Sequence, residues 1–285
     1  MKNRLLINLL LITLVVCLGM IAWLKPGHEA PKKNNLAGLD INTIQHIKIE
    51  RTAANTIELK RLQNQWYLTQ PVNTLALAGK VERLLKISQI KPTTSYPLEK
   101  QPLSQFGLDT PTVKVSFNKK TLNIGKTESV QSRRYVSNDT QLFLLDDTFL
   151  HHLTAPVDAY IDTRLIPNNG QIIGLKTPEI TLQRQEDNTW KNIQSPTDEL
   201  SSDAVQMLLD EWRFARAITV TTKFDATPTE QIIISLYEQP NLTFHLIKQK
   251  DSVLLVSNDK KLAYQFSDTK YKKMTTLPRL ETPDA

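Results

Sequence analysis

A chain of 285 residues with 40% hydrophobic and 22% charged side chains has room for one to three domains and the composition of an ordinary globular protein. Its formal charge of +6 is scattered over separate pairs (Lys119-Lys120, Arg133-Arg134, Lys260-Lys261, Lys272-Lys273), without the basic and aromatic stripe of a nucleic-acid binder. The lone cysteine, Cys17, excludes a disulfide scaffold, and eight unclustered glycines argue against a phosphate-cradling loop.

The first element is apolar. Leu5 through Leu24 carry no charged side chain, and only Asn8 and Thr13 interrupt the run strongly. Twenty helical residues span roughly 30 Å, the thickness of a bilayer's hydrocarbon core. A cleaved signal peptide would have a shorter apolar stretch followed by small residues. Here the run continues through Met20-Ile21-Ala22-Trp23-Leu24, and Trp23 and Lys25 stand where interfacial anchors belong. Val16 before Cys17 disfavours lipoprotein processing. Lys2 and Arg4 favour an inside N-terminus, a bias that Lys25, Lys32 and Lys33 weaken. The expectation is a single-pass inner-membrane protein: a cytoplasmic stub at 1–4, a transmembrane anchor at 5–24 in contact with the lipid bilayer, a polar linker at 25–39, and an extracytoplasmic bulk. Without Lys2 and Arg4, that bulk keeps 33 basic against 29 acidic side chains, a formal +4.

Beyond the linker, Ile47 and Ile49 alternate with polar residues as a half-buried strand does, after Ile44. Ile57, Leu59 and Arg61 predict a second strand and Trp66-Tyr67-Leu68 a third, stopped by Pro71. Leu77, Val81, Leu84, Leu85 and Ile87 have the three- and four-residue spacing of an amphipathic helix. Phe106-Gly107-Leu108-Asp109-Thr110-Pro111 reads as a turn. Strands follow at 113–117, 122–124, 134–137 and 142–145, then a short helix at 149–153.

The same order then repeats. Trp66 and Trp190 are 124 residues apart, as are Val81 and Val205; Val136-Ser137-Asn138-Asp139 recurs as Val256-Ser257-Asn258-Asp259, 120 apart. Ile172-Ile173 and Ile180-Thr181-Leu182 replace the opening strands, and Ser201-Ser202-Asp203 caps a helix containing Val205, Leu208, Leu209 and Trp212. Phe224 and Pro228 stand for Phe106 and Pro111, with Asp225 in the place of Gly107. Strands at 232–237, 242–247, 253–256 and 263–266 complete the series. The predicted fold class is α+β: two tandem strand-rich repeats at 40–165 and 166–285, each with about six or seven strands and one main helix. They meet through a largely polar join at 156–169, in which Ala159-Tyr160-Ile161 could still pack, either as two domains or as two halves of one core.

Ile44-x-x-Ile47-x-Ile49, Leu59-x-Arg61, Trp66, Pro71, Val81-x-x-Leu84-Leu85, Phe106-Gly107-Leu108-Asp109-x-Pro111 and Leu122-x-Ile124-Gly125 before Arg134-Tyr135-Val136 form an ordered series. In it the chain resembles the bacterial family catalogued as domain of unknown function 4340. The resemblance covers residues 40–165, with the second repeat as a more diverged copy. Ala78-Gly79 departs from the family's usual Ala-Asp before the helix and implies a weaker cap. The resemblance implies a membrane-anchored exported protein, sometimes linked with ABC-type transport systems; it implies no activity.

No set of reactive side chains recurs with the repeat. His151-His152 are adjacent on a short helix and splay too far to share a metal easily, and His28, His46 and His245 lack metal spacing. Ser137-Asn138-Asp139 sits between strands and reads as a hairpin turn. Asp146-Asp147, Asp158 and Asp162 offer carboxylates, of which a glycosidase needs two. Trp66 and Trp190 would be ligand-stacking platforms if exposed, but their equivalent strand positions favour core plugs, and Arg61 and Arg184 read as strand-face residues covering apolar surface. No catalytic, cofactor or metal-binding residue is assigned. The expected function is a non-catalytic binding or scaffold component of an envelope complex, with an envelope or transporter protein as partner. The runner-up is a protein that binds or hydrolyses cell-envelope glycan through carboxylates at the repeat interface.

Overall fold

Strands form where apolar and polar side chains alternate, because only an extended chain puts every second residue on one face. The computed structural model describes residues 35–197, 199–224, 230–257 and 259–278, together with Asn8, 11–16, Gly19 and Met20. The stub at 1–4, most of the apolar run 5–24 and the linker up to residue 34 lie outside the described residues, as do Asp225 and Pro228. The described part of the apolar run is helical, and among the described residues no helix is long and apolar enough to cross a membrane.

The first half contains β1 (His46–Arg51), β2 (Ala54–Leu62), β3 (Gln65–Gln70), β4 (Thr74–Leu75), α1 (Ala78–Ser88), β5 (Ser95–Pro97), β6 (Val113–Phe117), β7 (Lys120–Thr127), β8 (Arg134–Ser137), β9 (Gln141–Leu145) and α2 (Leu150–Leu153). The second contains β10 (Ile172–Lys176), β11 (Thr181–Arg184), β12 (Trp190–Asn192), α3 (Ser202–Arg213), β13 (Thr219–Thr221), β14 (Glu230–Leu236), β15 (Gln239–Lys248), β16 (Ser252–Ser257), β17 (Leu262–Ser267) and α4 (Asp268–Thr275). The class is α+β, mostly β, with two antiparallel sheets.

The first sheet is ordered β4-β3-β2-β1-β6-β7-β8-β9-β5 and the second β12-β11-β10-β14-β15-β16-β17-β13. Set β4 aside and the two orders coincide strand for strand. The sheets have nine and eight described strands, more than the six or seven the sequence predicts. The additions are short edge strands, β4, β5 and β13, which carry too few residues to show a period; every residue of β5 is exposed. The helix α4 also goes unpredicted, because Lys270, Lys272 and Lys273 dilute its apolar face of Tyr271 and Met274.

Local chemistry follows the sequence closely elsewhere. Gln63 and Asn64, both at positive φ, make the two-residue turn between β2 and β3 that suits strand twist. In the β8–β9 turn the Asn138 carboxamide oxygen accepts from the backbone N–H groups of Thr140 (3.0 Å) and Gln141 (2.9 Å). The Ser201 hydroxyl caps α3 by accepting from the Ala204 N–H at 3.4 Å, while α1 starts at Leu77 with no side-chain cap, as Ala78-Gly79 implies.

Three parts of the resemblance, Phe106-Gly107-Leu108, Gly125 and Arg134-Tyr135, meet at one place. Gly107, at φ +65°, closes the 3-10 turn Leu103–Phe106 and brings the Phe106 carbonyl against Gly125 in β7. A Cβ on Gly125 would lie 2.3 Å from that oxygen and 3.0 Å from the Leu108 side chain. The Arg134 guanidinium donates to the Gly125 carbonyl (2.7 Å), to Thr127 and to Asp147, and Phe106 packs on Tyr135 with ring centroids 4.6 Å apart. The motif is therefore a packing device.

One contiguous core runs through both halves, from Leu36 to Met274. The body begins inside the predicted linker, since Leu36 and Ala37 are buried and the Leu36 N–H donates to Ile90 at 2.8 Å. The join is buried as well: Tyr160 and Ile161, which the sequence allows to pack, and Leu165 and Ile166, which lie in its polar run, are each at most 2% exposed. Its backbone stitches two sheet edges. On one side Leu77 N–H donates to Tyr160 and Asp162 N–H to Leu75, with Ile161 bridged to Ala76 beyond β4; on the other Ala217 N–H donates to Thr163, and Arg164 bridges Arg216 just before β13. Asp162 stays satisfied by the Arg164 guanidinium, which donates to both carboxylate oxygens, and by the Arg164 N–H.

Two outcomes follow. Urea unfolding of the full chain in detergent should show one transition for both halves, with Leu165→Ala costing about 2–5 kcal/mol; hydrogen exchange resolving two separate transitions would contradict the shared core. Gly125→Ala should cost about 3 kcal/mol through overpacking, visible as a lowered midpoint at unchanged slope.

Candidate functional site

The helix α3 separates two grooves of opposite character. At 100° per residue, Val205, Leu208, Leu209 and Trp212 point into the core. One flank then carries Gln206, Asp210 and Arg213, and the other carries Met207, Glu211 and Phe214.

The polar flank faces a groove of about 580 Å³. Its opposite wall is the β11–β12 hairpin, which brings Arg184, Asn188 and Trp190; Asn169 and Gln171 close one end. Arg184 and Trp190 are directly opposed across the ladder, so their side chains share a face. The hairpin turn is fixed by Asp187, whose carboxylate accepts from the Thr189 hydroxyl (2.6 Å) and N–H (3.0 Å); these bonds hold its pKa below the usual carboxylate value. Gln206 donates to Asp210 at 3.0 Å. Arg213 lies over the Phe214 ring at 5.6 Å. Among the described residues, neither Arg184 nor Arg213 is paired with a carboxylate.

The apolar flank faces a groove of about 520 Å³ between α3 and α4, floored by Met207, Leu208, Leu277 and Pro278 and rimmed by Lys272 and Lys273. Glu211 on this rim is engaged by Lys270. Met207 is 52% exposed, and Phe214 and Ile218 beyond it are 67% and 65% exposed.

The side chains singled out from the sequence mostly take structural places. Trp66 and Trp190 both pack against the core while remaining half-buried. Arg61 opposes Trp66 as Arg184 opposes Trp190, but the Arg61 guanidinium is held by Asn64 and β4 covers the strand beside it. The strand β12 has no such cover, so the Trp190 side stays open as a groove. His46 pairs with Glu58 at 2.7 Å. Burial of Glu58 opposes ionisation, but the bonds from His46 and Lys60 outweigh it and lower the pKa. Asp147 is held by Arg134 and Asp162 by Arg164; Asp158 lies in the 3-10 turn Val157–Tyr160. His28 lies outside the described residues. Among the described residues no group of three His, Cys, Asp or Glu side chains is placed to hold a metal.

His151 and His152 do not splay apart: their rings stack at 3.8 Å, tilted by 50°. A small cleft of about 180 Å³ beside them is lined by Arg83, Lys86 and His152, and buried Lys80 lies 5.0 Å over the Tyr160 ring. Desolvation lowers the His152 pKa, helped by the charges of His151, Lys80 and Arg83. Burial raises the Tyr160 pKa to about 12.

Neither groove was legible as a site in the sequence. The signal for both is the helical spacing of Gln206, Asp210 and Arg213 against Met207, Glu211 and Phe214, two different flanks on a helix with one core face.

A family profile described as Domain of unknown function (DUF4340) matches residues 66–231. The chain belongs to this family. The match begins in β3 and ends at the start of β14, crossing the buried join, so it takes in parts of both sheets and extends beyond the 40–165 range of the sequence resemblance. No curated protein and no solved structure matches the chain.

A depressed histidine pKa means that the folded state resists protonation longer than the unfolded chain. The His152 contribution is therefore present above the unfolded value near pH 6.5 and is lost as pH falls below it. Urea midpoints at pH 7.5 and 5.5 should differ less for His152→Gln than for the parent chain.

Proposed function

We propose that this protein is a membrane-tethered, extracytoplasmic binding component of a bacterial-type envelope complex, with two tandem copies of one strand-rich unit fused into a single body. The coincident strand orders and the spacing of Trp66 and Trp190 support the duplication. The uncharged run from Leu5 to Leu24 supports the tether, and the family resemblance favours an ABC-type transport system as its setting.

The observation that carries the binding role is the apolar groove between α3 and α4. Isolated exposed apolar side chains are common, but a groove with an apolar floor that includes exposed Met207, on the helix flank that continues to exposed Phe214, supports reading it as a surface for another chain. Its rim selects the occupant. Lys270 neutralises Glu211, leaving Lys272 and Lys273 as the local charge, which suits an amphipathic helix with acidic residues flanking its apolar face.

The test is a photocrosslinking side chain at Met207 in the full-length protein, in native membranes. The expected result is a crosslinked peptide from a transporter or envelope subunit that is amphipathic and acidic. It should be lost in Lys272→Glu/Lys273→Glu and in a chain whose 5–24 segment is replaced. Crosslinks confined to lipid or to other copies of this chain would refute the reading.

A further inference from the structure

The Trp190 groove has a chemistry of its own, independent of any protein docked between α3 and α4. Its lining is mostly polar: side-chain amides of Asn169, Gln171 and Gln206, the Asp210 carboxylate, and the guanidinium groups of Arg184 and Arg213. Small apolar ligands need the opposite lining. Amides, carboxylates and guanidinium groups are planar, and each can engage two neighbouring hydroxyls at once. The indole of Trp190 supplies an apolar wall, half-buried against the core and so held in place. A sugar ring presents both partners, an apolar C–H face and a rim of vicinal hydroxyls.

Charge narrows the class. Arg184 reaches the groove from the hairpin and Arg213 from the helix, and among the described residues neither is paired with a carboxylate. Asp210 is the one acidic group among the lining residues, and it already accepts from Gln206. Two unspent guanidinium groups favour an anion, and their fork geometry suits a carboxylate or a phosphate. Two arginines are too few to track a nucleic-acid backbone, which needs a longer cationic path. The groove also runs beside β12, a three-residue strand at the edge of its sheet among the described residues.

We propose that the Trp190 groove binds an acidic carbohydrate chain, with a sugar ring on the indole and a carboxylate or phosphodiester held between Arg184 and Arg213. The first half supplies an internal control. Arg61 and Trp66 hold the same cross-strand relation, yet Arg61 is bonded to Asn64 and β4 occupies the adjoining edge. Only one of the two halves is open for this ligand.

The experiment is calorimetric titration of the full-length protein in nanodiscs with three probes: oligogalacturonate, a neutral galactose oligomer of equal length, and a glycerol-phosphate oligomer. At least one acidic probe should bind about tenfold tighter than the neutral oligomer, and the better acidic probe identifies the anion. Arg184→Gln/Arg213→Gln should weaken that binding by about tenfold, whereas Arg61→Gln should leave it unchanged. Trp190→Ala tests the platform, and the double glutamine variant keeps the test decisive if that alanine chain fails to fold. Absence of binding by all three probes at millimolar concentration overturns the proposal. So does equal affinity for neutral and acidic oligomers, or undiminished binding by the double variant. None of these outcomes alters the Met207 crosslink, so the two readings fail separately.

Discussion

The body depends on a stretch of chain between its two sheets that gives up its own secondary structure to complete theirs. Residues 160–164 lend backbone groups to Leu75 and Leu77 on one side and to Ala217 on the other. An open sheet edge presents unpaired N–H and C=O groups, a liability that proteins cover or blunt. Here one segment serves an edge of each sheet, and the burial of Tyr160, Leu165 and Ile166 follows from that position. The carboxylate of Asp162 enters the same place and is compensated by Arg164, whose pKa is raised by that bond. A buried charge pair of this kind adds little net stability, but a lone partner would be costly. The pair therefore fixes the path of the chain more than it strengthens it.

The remaining edges are blunted by other means. The strand β5 carries Pro97, which has no N–H to offer, while β12 is only three residues long. β12 is also where the halves diverge most usefully. A strand of two residues, β4, covers the corresponding edge of the first sheet, and its absence from the second opens the groove beside Trp190. Two arrangements built to one strand order thus present different surfaces because of one short element.

Much of the fold was readable from side-chain periodicity. β6 and β8 fall where alternation predicts them, and α1 and α3 start within a residue of their signals, because long elements with a buried face must repeat their pattern. Short elements carry no such record: β4 is defined by its neighbours, and β5 has no buried face. The join was legible at Ala159-Tyr160-Ile161 but not at Leu165 and Ile166, for a related reason. Pro156, Pro167 and the asparagines at 168 and 169 give it the composition of a loop, while its buried residues are consecutive rather than periodic. For Trp190 the sequence offers both a core plug and a stacking platform without deciding between them, since both roles use the same half-buried indole. The grooves themselves arise from the relation of α3 to α4 and to the β11–β12 hairpin, which are distant in sequence.

The tandem boundary drawn between residues 165 and 166 from spacing alone passes through two side chains that are each 2% exposed. A fragment ending there keeps the stitch but loses its partners Arg216 and Ala217 before β13, and a fragment starting there lacks the stitch altogether. Independent units can be shuffled between genes, inserted into other proteins or lost one at a time. A segment bonded to both sheets at once ties the two halves into one body, and a cut through it divides a core rather than a connector.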